Sequence, residues 1–195
     1  MSRLTQIAPE AAQGKTQELF QAVQGKLGMV PNLMRALGSS PAALDAYLSF
    51  SGSLSKGSLS GKQREQIALT VGQTNHCDYC LAAHSALGKM AGLTVDQIRD
   101  SRTATAVDSK TNALLQFSRK VVETRGHVDD EDVHGLRELG FTDGDIAEAV
   151  ANVALNIFTN YFNHVAETDI DFPKAEPIVD HHEACASIPG CDQTR

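Results

Sequence analysis

The sequence predicts an all-α fold, and three observations lead to that prediction. Apolar residues recur at spacings of three and four along most of the chain, which is the period of an amphipathic helix. Alternating runs rich in β-branched residues, which are typical of half-buried strands, are missing, so no strand is assigned. Residues that start and end helices punctuate the chain at intervals that fit helices of ordinary length.

Proline, serine and threonine mark the starts of these helices, and glycine marks several of their ends. Pro9 lies in the first turn of the first predicted helix, and Ser40 precedes a proline at the start of the third. Gly92 fits the C-terminal end of the fifth helix, and Thr94 with Gln97 fits a capping box for the next one. The predicted helices cover residues 9–27, 31–38, 40–54, 64–73, 77–91, a short stretch around 98, 109–125, 129–139 and 143–166.

The composition indicates one globular domain with a short appendage. The 195 residues are 42% apolar and 21% charged, which is ordinary for a soluble chain of this length. Helical periodicity is lost after Pro173, so we expect a helical domain over residues 1–173 and a flexible tail over 174–195. No stretch reaches the roughly 18 apolar residues of a membrane span, and the N-terminus lacks the apolar core of a secretory signal. We therefore expect a cytoplasmic protein.

The charge argues against nucleic acid as a partner. Seventeen Lys and Arg against twenty-four Asp and Glu give a formal net charge of −7, and the sequence contains no basic run. Such a chain offers nothing to attract a phosphate backbone. We expect neither a nucleic-acid nor a membrane partner.

A cysteine pair in the middle of the chain is the main candidate for chemistry. Cys77 and Cys80 form a C-x-x-C, and His84 follows four residues after the second cysteine. On a helix that turns about 100° per residue, the three positions lie within about 60° of one another, so both sulfurs and the imidazole can face one pocket. Cys77 also lies at the predicted helix start, where free N–H groups and the helix dipole favour a thiolate. In a reducing compartment such a pair indicates redox or metal chemistry more than a structural bridge.

Glu65, on the preceding predicted helix, completes a candidate proton relay. If the turn between the two helices is centred near residue 75, Glu65 lies ten positions before it and His84 nine positions after it. An antiparallel hairpin then places the carboxylate opposite the imidazole. In that arrangement the carboxylate orients the ring, and the ring removes the proton of the thiol.

These residues resemble the active-site motif of the alkylhydroperoxidase D (AhpD) and carboxymuconolactone decarboxylase family. The motif E-x11-C-x2-C-x3-H consists here of Glu65, Cys77, Cys80 and His84. Flanking stretches resemble a peroxidase-related branch of the family, namely PNLMRALGSSPAAL at 31–44, REQIALTVGQTNHCDYCLAAH at 64–84 and FTNYFNHVAETDIDFP at 158–173. The resemblance covers most of residues 1–173 and does not reach the tail.

The resemblance implies an all-helical homo-oligomer whose C-x-x-C cycles between dithiol and disulfide while it reduces a peroxide. The redox pair of the family falls on Cys77 and Cys80, and its proton relay falls on Glu65 and His84. Cys80, one helical turn from His84, is assigned as the sulfur that reacts with peroxide and exchanges with the partner, and Cys77 as its resolving partner. The helix-start argument favours Cys77 instead. An external dithiol or a disulfide reductase restores the pair, and no haem, flavin or metal is required.

Tyr79 departs from the family pattern. The best-studied peroxidases of the family carry a histidine just before the second cysteine, so the departure bears on the proton relay and on the peroxidase rate. The dithiol chemistry does not depend on it. Decarboxylase members of the family generally lack the cysteine pair, so its presence here argues against lactone decarboxylation.

Two functions of other classes stay open at this point. Cysteine, histidine and glutamate are all competent zinc ligands, so a zinc-stabilised helical module is the first alternative. The second is a non-catalytic redox sensor or scaffold that forms the disulfide without cycling. Asn163 and His164 could line the pocket, although a role in the core or an interface is preferred for the aromatic stripe beside them. The tail contains two histidines and two cysteines, which could bind a metal or exchange with the central disulfide. The preferred interpretation is that they lie in a disordered segment and have no role, and these residues are His181, His182, Cys185 and Cys191.

Overall fold

The computed structural model describes residues 2–178, and its regular structure is entirely helical. Within these residues there are nine α-helices, a short 3₁₀ turn at Pro9–Ala11 and no strand, which confirms the all-α prediction. The helices are α1 (Gly14–Leu27), α2 (Asn32–Leu37), α3 (Pro41–Leu54), α4 (Gly61–Thr74), α5 (Asp78–Met90), α6 (Val95–Arg102), α7 (Ser109–Glu123), α8 (Asp130–Glu138) and α9 (Asp143–Ala166). No helix in this part of the chain is both long enough and apolar enough to span a membrane.

The prediction of one continuous helix over residues 9–27 is wrong at its N-terminal end. The 3₁₀ turn stops at Ala11, and α1 begins only at Gly14. Between them Ala12 and Gln13 have extended backbone, and Gly14 has a φ of +55°. A right-handed helix cannot continue through extended and left-handed residues, and glycine adopts the left-handed conformation at little cost.

Helix α4 lies at the centre of the fold and packs against α5, α6, α7 and α9. Residues 66–72 of this helix are all buried, as expected for a helix that is surrounded on every side. Leu69 packs in a cluster with Leu81 of α5 and Ile98 of α6. Ile67 and Val71 belong to a second cluster, which α7 and α9 complete. Glu65 comes directly before this buried stretch of α4 and is partly buried.

Helices α1, α2 and α3 form a layer over the cysteine pair. Their buried side chains share one apolar cluster with both cysteines, and this cluster includes Leu19, Phe20, Leu33, Leu37 and Leu44. The packing within the layer is close, because a Cβ at Gly38 would lie 2.5 Å from the ring of Phe20. The layer therefore covers the start of α5 with apolar side chains.

Acidic residues in the first turns of α9 hold the loop that precedes α4. The carboxylate of Glu148 accepts hydrogen bonds from the backbone N–H groups of Ser58 and Leu59, at 2.8 and 3.1 Å. The hydroxyl of Ser58 donates to the carboxylate of Asp145. These bonds tie the start of the central helix to the longest helix of the fold.

The chain turns back over the body of the molecule after α9. Asp171 accepts a hydrogen bond from the backbone N–H of Asn32, at 2.7 Å. Residues 174–178 then lie against α5 and α6, where Ala175 packs beside the Leu69 cluster and the Arg102 guanidinium donates to the carbonyl of Glu176. The predicted flexible tail over 174–195 stays a prediction, because residues 179–195 lie outside the described part of the chain.

Candidate active site

The α4–α5 hairpin brings the motif residues together. The turn between the helices consists of residues 75–76, where the antiparallel pairing of the sequence predicts it. His76 has a left-handed backbone with φ of +54°, and the N–H of Cys77 donates across the turn to the carbonyl of Gly72 at 2.9 Å. Gly72 also lies against α5, where a Cβ would be 3.5 Å from the Cβ of Cys80. This is an ordinary van der Waals distance, so α4 and α5 are packed in contact beside the cysteine pair.

Cys77 and Cys80 are joined in a disulfide at the start of α5, with their Cα atoms 5.3 Å apart. Cys77 is the N-cap of the helix, and its sulfur accepts a hydrogen bond from the backbone N–H of Cys80 at 3.3 Å. Both side chains are buried, with exposures of 1% and 3%. A sulfur that caps a helix lies where the N–H groups and the dipole favour a thiolate after reduction.

Glu65 and His84 meet across the hairpin. Nδ1 of His84 lies 2.8 Å from Oε2 of Glu65, and both side chains are partly buried. The carboxylate engages one ring nitrogen and leaves Nε2 for proton transfer, which is the arrangement of a positioned general base. Tyr47 of α3 borders this pair, and its burial, together with the charge of Glu65, raises the pKa of Tyr47 to about 12. Tyr47 therefore stays protonated near neutral pH.

Asn163 of α9, which the sequence analysis names as a possible pocket residue, lies beside the cysteine pair although it is outside the motif. Its side-chain Nδ2 donates to the sulfur of Cys80 at 3.3 Å and lies 4.0 Å from the sulfur of Cys77. The residue is 4% exposed, and its Oδ1 has no hydrogen-bond partner. A sequence signal for it exists, because four buried asparagines follow one another at helical spacing along α9, at positions 152, 156, 160 and 163.

Tyr79, which departs from the motif that the sequence resembles, makes structural contacts with distant parts of the chain. Its hydroxyl accepts a hydrogen bond from the backbone N–H of Leu33 at 3.1 Å and donates to Oδ1 of Asp171 at 2.9 Å. Its ring meets that of Phe172 edge to face, with centroids 6.0 Å apart. Burial raises the pKa of Tyr79 far above its usual value, and the Asp171 carboxylate adds to the effect. Tyr79 therefore ties α2 and residues 171–172 to the start of α5.

The two cysteines line different cavities. Cys80 lines a small, mostly apolar cavity of about 50 Å³, which His84 also lines. Cys77 lines a wider surface cleft of about 430 Å³ between the start of α5 and the end of α9, together with Asn163 and Ile170. The imidazole of the relay thus shares its cavity with Cys80, and the wider cleft is lined by Cys77.

His164, the other residue that the sequence places beside the pocket, is exposed and lines the Cys77 cleft, and its ring stacks on Tyr161 with centroids 6.4 Å apart. The tail residues lie outside the described part of the chain, and these are His181, His182, Cys185 and Cys191. Within residues 2–178, no group of three or more His, Cys, Asp and Glu side chains is arranged to hold a metal ion.

Comparison with known proteins gives the same picture of the fold. Residues 41–124 match the model of the carboxymuconolactone decarboxylase family. The chain is similar to an alkylhydroperoxidase AhpD core, a peroxidase-related protein from Ralstonia eutropha JMP134, with a TM-score of 0.78 and 27% identity over 87% of this chain and 92% of that one. A peroxidase-related protein from Silicibacter sp. TM1040 has a TM-score of 0.76 and 27% identity, over 86% of this chain and 89% of its own.

The fold also occurs in a protein of more distant sequence. The debrominase Bmp8, bound to 2,3,4-tribromopyrrole, has a TM-score of 0.76 at 17% identity, over 88% of this chain and 92% of its own. No curated protein matches the sequence. All four motif residues lie inside the range that the family model covers. Residues 41–124 therefore carry the sequence pattern of the carboxymuconolactone decarboxylase family, and the fold of the chain is that of the AhpD-like, peroxidase-related proteins to which it is similar.

Proposed function

We propose that this protein is a thiol-dependent peroxidase that reduces hydrogen peroxide or a small alkyl hydroperoxide. One observation carries the proposal: His84, paired with Glu65 at 2.8 Å, lines the same cavity as a cysteine of a C-x-x-C disulfide. A carboxylate, an imidazole and a thiol in this order form a relay that can deprotonate the thiol. A cavity of about 50 Å³ has room for one or two small polar molecules, which suits a peroxide.

The oxidative half of the cycle starts from the dithiol. The Cys80 thiolate attacks one peroxide oxygen, an S–O bond forms as the O–O bond breaks, and the departing oxygen takes a proton from the His84 imidazolium. The product is a sulfenic acid on Cys80 and an alcohol, or water when hydrogen peroxide is the substrate. The Cys77 thiolate then attacks the sulfenic sulfur, forms the disulfide and releases water.

The reductive half needs an external dithiol or a disulfide reductase. Two thiol groups of the reductant become a disulfide, and Cys77 and Cys80 return to the reduced state. Over one cycle, a peroxide and a dithiol yield an alcohol, a water molecule and a disulfide. No haem, flavin or metal takes part in these steps. We place the cycle in the cytoplasm, where reducing equivalents keep thiols reduced.

Peroxide consumption with a dithiol supplied tests this function. We expect the wild-type protein to consume hydrogen peroxide over many turnovers with dithiothreitol, and Cys80→Ser to lose turnover. The tail variant Cys185→Ser/Cys191→Ser is the matched control, because it makes the same chemical change outside the motif. Wild-type protein that consumes no more peroxide than Cys80→Ser would contradict the proposal.

The same preparations distinguish the two alternatives. A non-catalytic redox sensor forms the Cys77–Cys80 disulfide with one equivalent of peroxide and shows no further consumption with dithiothreitol. A zinc-stabilised module holds about one zinc per chain after purification and unfolds on chelation. Elemental analysis beside the turnover assay therefore separates all three functions.

We also propose that the protein is a homo-oligomer. Large apolar side chains are exposed on α3 and α9, among them Phe50, Phe158, Tyr161 and Val165. These two helices contact each other, and large apolar side chains exposed on neighbouring helices are typical of protein–protein contacts. Light scattering of the purified protein measures the assembly, and a monomeric mass at micromolar concentration would contradict this proposal.

A further inference from the structure

The two cysteines of the disulfide line openings of unequal size. Cys80 lines the cavity of about 50 Å³ that the relay histidine also lines. Cys77 lines the cleft of about 430 Å³ at the end of α9. The two substrates also differ in size. A peroxide is small enough for the smaller cavity, whereas a dithiol is larger because its attacking sulfur is attached to a carbon chain.

We infer that the reductant attacks Cys77, through the cleft between the start of α5 and the end of α9, while peroxide reacts at Cys80 in the smaller cavity. This inference rests on the proposed peroxidase function for its peroxide half. The reductant is an external dithiol that enters from the Cys77 side. The inference changes the assignment made from the sequence alone, in which Cys80 reacts with peroxide and also exchanges with the partner.

The cysteines themselves are both buried, with exposures of 1% and 3%, so the opening beside each residue decides what can approach it. A thiol–disulfide exchange requires the attacking sulfur to reach the sulfur under attack. The Cys80 cavity offers about the space of one or two water molecules and is lined mostly by apolar side chains, among them Leu33, Leu87 and Phe172. The cleft lined by Cys77 is wider and also borders the exposed residues Glu167 and Ile170.

Attack on Cys77 makes Cys80 the leaving sulfur. A thiolate of the reductant forms a bond to Cys77, the Cys77–Cys80 bond breaks, and its electron pair leaves on Cys80. In the disulfide form Nδ2 of Asn163 lies 3.3 Å from the sulfur of Cys80 and 4.0 Å from that of Cys77, so its N–H is placed to stabilise the Cys80 thiolate as it leaves. His84 lines the same cavity as Cys80 and can return a proton. A stabilised thiolate leaves faster. The second thiol of the reductant attacks the mixed disulfide, releases Cys77 and departs as a disulfide.

A trapping experiment locates the sulfur under attack without any peroxide. The protein with Cys185→Ser/Cys191→Ser is oxidised, mixed briefly with 2-mercaptoethanol, quenched in acid, alkylated with iodoacetamide and mapped by mass spectrometry. We expect 2-mercaptoethanol on Cys77 and the alkyl group on Cys80, in an early ratio of at least ten to one. Equal labelling, or 2-mercaptoethanol mainly on Cys80, would overturn the inference. Because this assay contains no peroxide, its result stands apart from the outcome of the peroxidase assay.

Blocking each opening separately gives a second, independent measurement. Ile170→Trp narrows the cleft, and Leu87→Phe narrows the Cys80 cavity. Ile170→Trp should slow reduction of the disulfide by 2,3-dimercaptopropanol at least tenfold and leave the peroxide reaction of the reduced protein within twofold. Leu87→Phe should do the reverse, and Val107→Trp, at a fully exposed position, should change neither rate. Equal slowing of both half-reactions by Ile170→Trp would overturn the assignment of separate openings.

Discussion

The side-chain N–H of Asn163 donates to the sulfur of Cys80 at 3.3 Å, although 83 residues separate the two along the chain. The contact joins the longest helix of the fold to the start of α5. Its Oδ1 is buried without a hydrogen-bond partner, which is rare for a polar atom in a protein interior. An N–H donor beside a sulfur stabilises the sulfur most when the sulfur is a negatively charged thiolate.

Asn163→Leu should raise the pKa of the Cys80 thiol in the reduced protein. A hydrogen bond to a charged group contributes about 1.5–3 kcal/mol, so the expected rise is roughly one to two pKa units and the peroxide rate at pH 7 falls about tenfold or more. Thiolate absorbance against pH, in a Cys77→Ser background without the tail cysteines, measures it. Asn160→Leu, on the same helix and buried, is the matched control. An equal shift in both variants would show that the sulfur contact is not the cause.

Glu65→Gln should separate the proton relay from the fold. The substitution keeps the shape of the side chain that meets His84 and removes the charge that favours imidazolium and, through it, thiolate. Peroxide reactivity near neutrality should fall by about 10² to 10⁴, and the thiol should titrate at higher pH. His84→Gln should cause a similar loss, and the double variant should be little worse than either single one. An unshifted titration with full turnover in Glu65→Gln would leave Glu65 as a partly buried acid without a role in the relay.

Tyr79→Phe should affect stability and leave the proton chemistry unchanged. The variant removes one buried partner from the Leu33 N–H and one from the Asp171 carboxylate, so we expect a loss of about 1–3 kcal/mol in urea unfolding. The pH profile of peroxide consumption should keep its midpoint, because burial raises the pKa of Tyr79 and holds its proton in place. Tyr161→Phe, at an exposed position on α9, is the control for the loss of a hydroxyl. A displaced midpoint would assign Tyr79 to the relay after all.

Asp145→Asn should change how stability depends on acid pH. Hydrogen bonds from the Ser58 hydroxyl and from Thr142 lower the pKa of Asp145 to about 2 in the folded protein. Because this folded-state pKa is below the unfolded value, the carboxylate stabilises the fold above about pH 4, and this contribution is lost as pH falls toward 2. The variant should be less stable at pH 7 and lose less stability between pH 5 and pH 2.5, as urea unfolding measures. A slope in Asp145→Asn equal to that of the wild-type protein would contradict this prediction.

Local signals in the sequence account for the parts of the fold that could be predicted. The α4–α5 turn lies between a polar helix end and a capping cysteine, and the start of α6 carries the Thr94–Gln97 capping box that its sequence predicts. These features depend on residues within one helical turn, so spacing alone determines them. The meeting of Glu65 and His84 follows from the same local geometry, because an antiparallel hairpin fixes which residues face each other.

The contacts that escaped prediction are set by tertiary packing. Asn163 reaches Cys80 only because α9 has one particular rotation about its axis, and no periodicity within α5 contains that information. Tyr79 finds its partners 46 and 92 residues away in sequence, at Leu33 and Asp171. The first predicted helix begins at residue 9, whereas α1 begins at Gly14. Hydrophobic periodicity does not show that Gly14 has a left-handed backbone, which separates α1 from the residues before it. The spacing of residues in the sequence predicts neither contacts between distant residues nor an unusual backbone conformation.

The capping role of Cys77 links the stability of α5 to the reduction potential of the protein. Its sulfur is one half of the disulfide and also the acceptor for the N–H of Cys80. After reduction the same atom becomes a thiol or thiolate, and a charged acceptor binds that N–H more strongly. Any change that favours the reduced cap by about 1.4 kcal/mol raises the potential of the pair by about 30 mV. The first turn of α5 therefore affects how strongly oxidising the disulfide is, and it does so separately from Glu65 and His84.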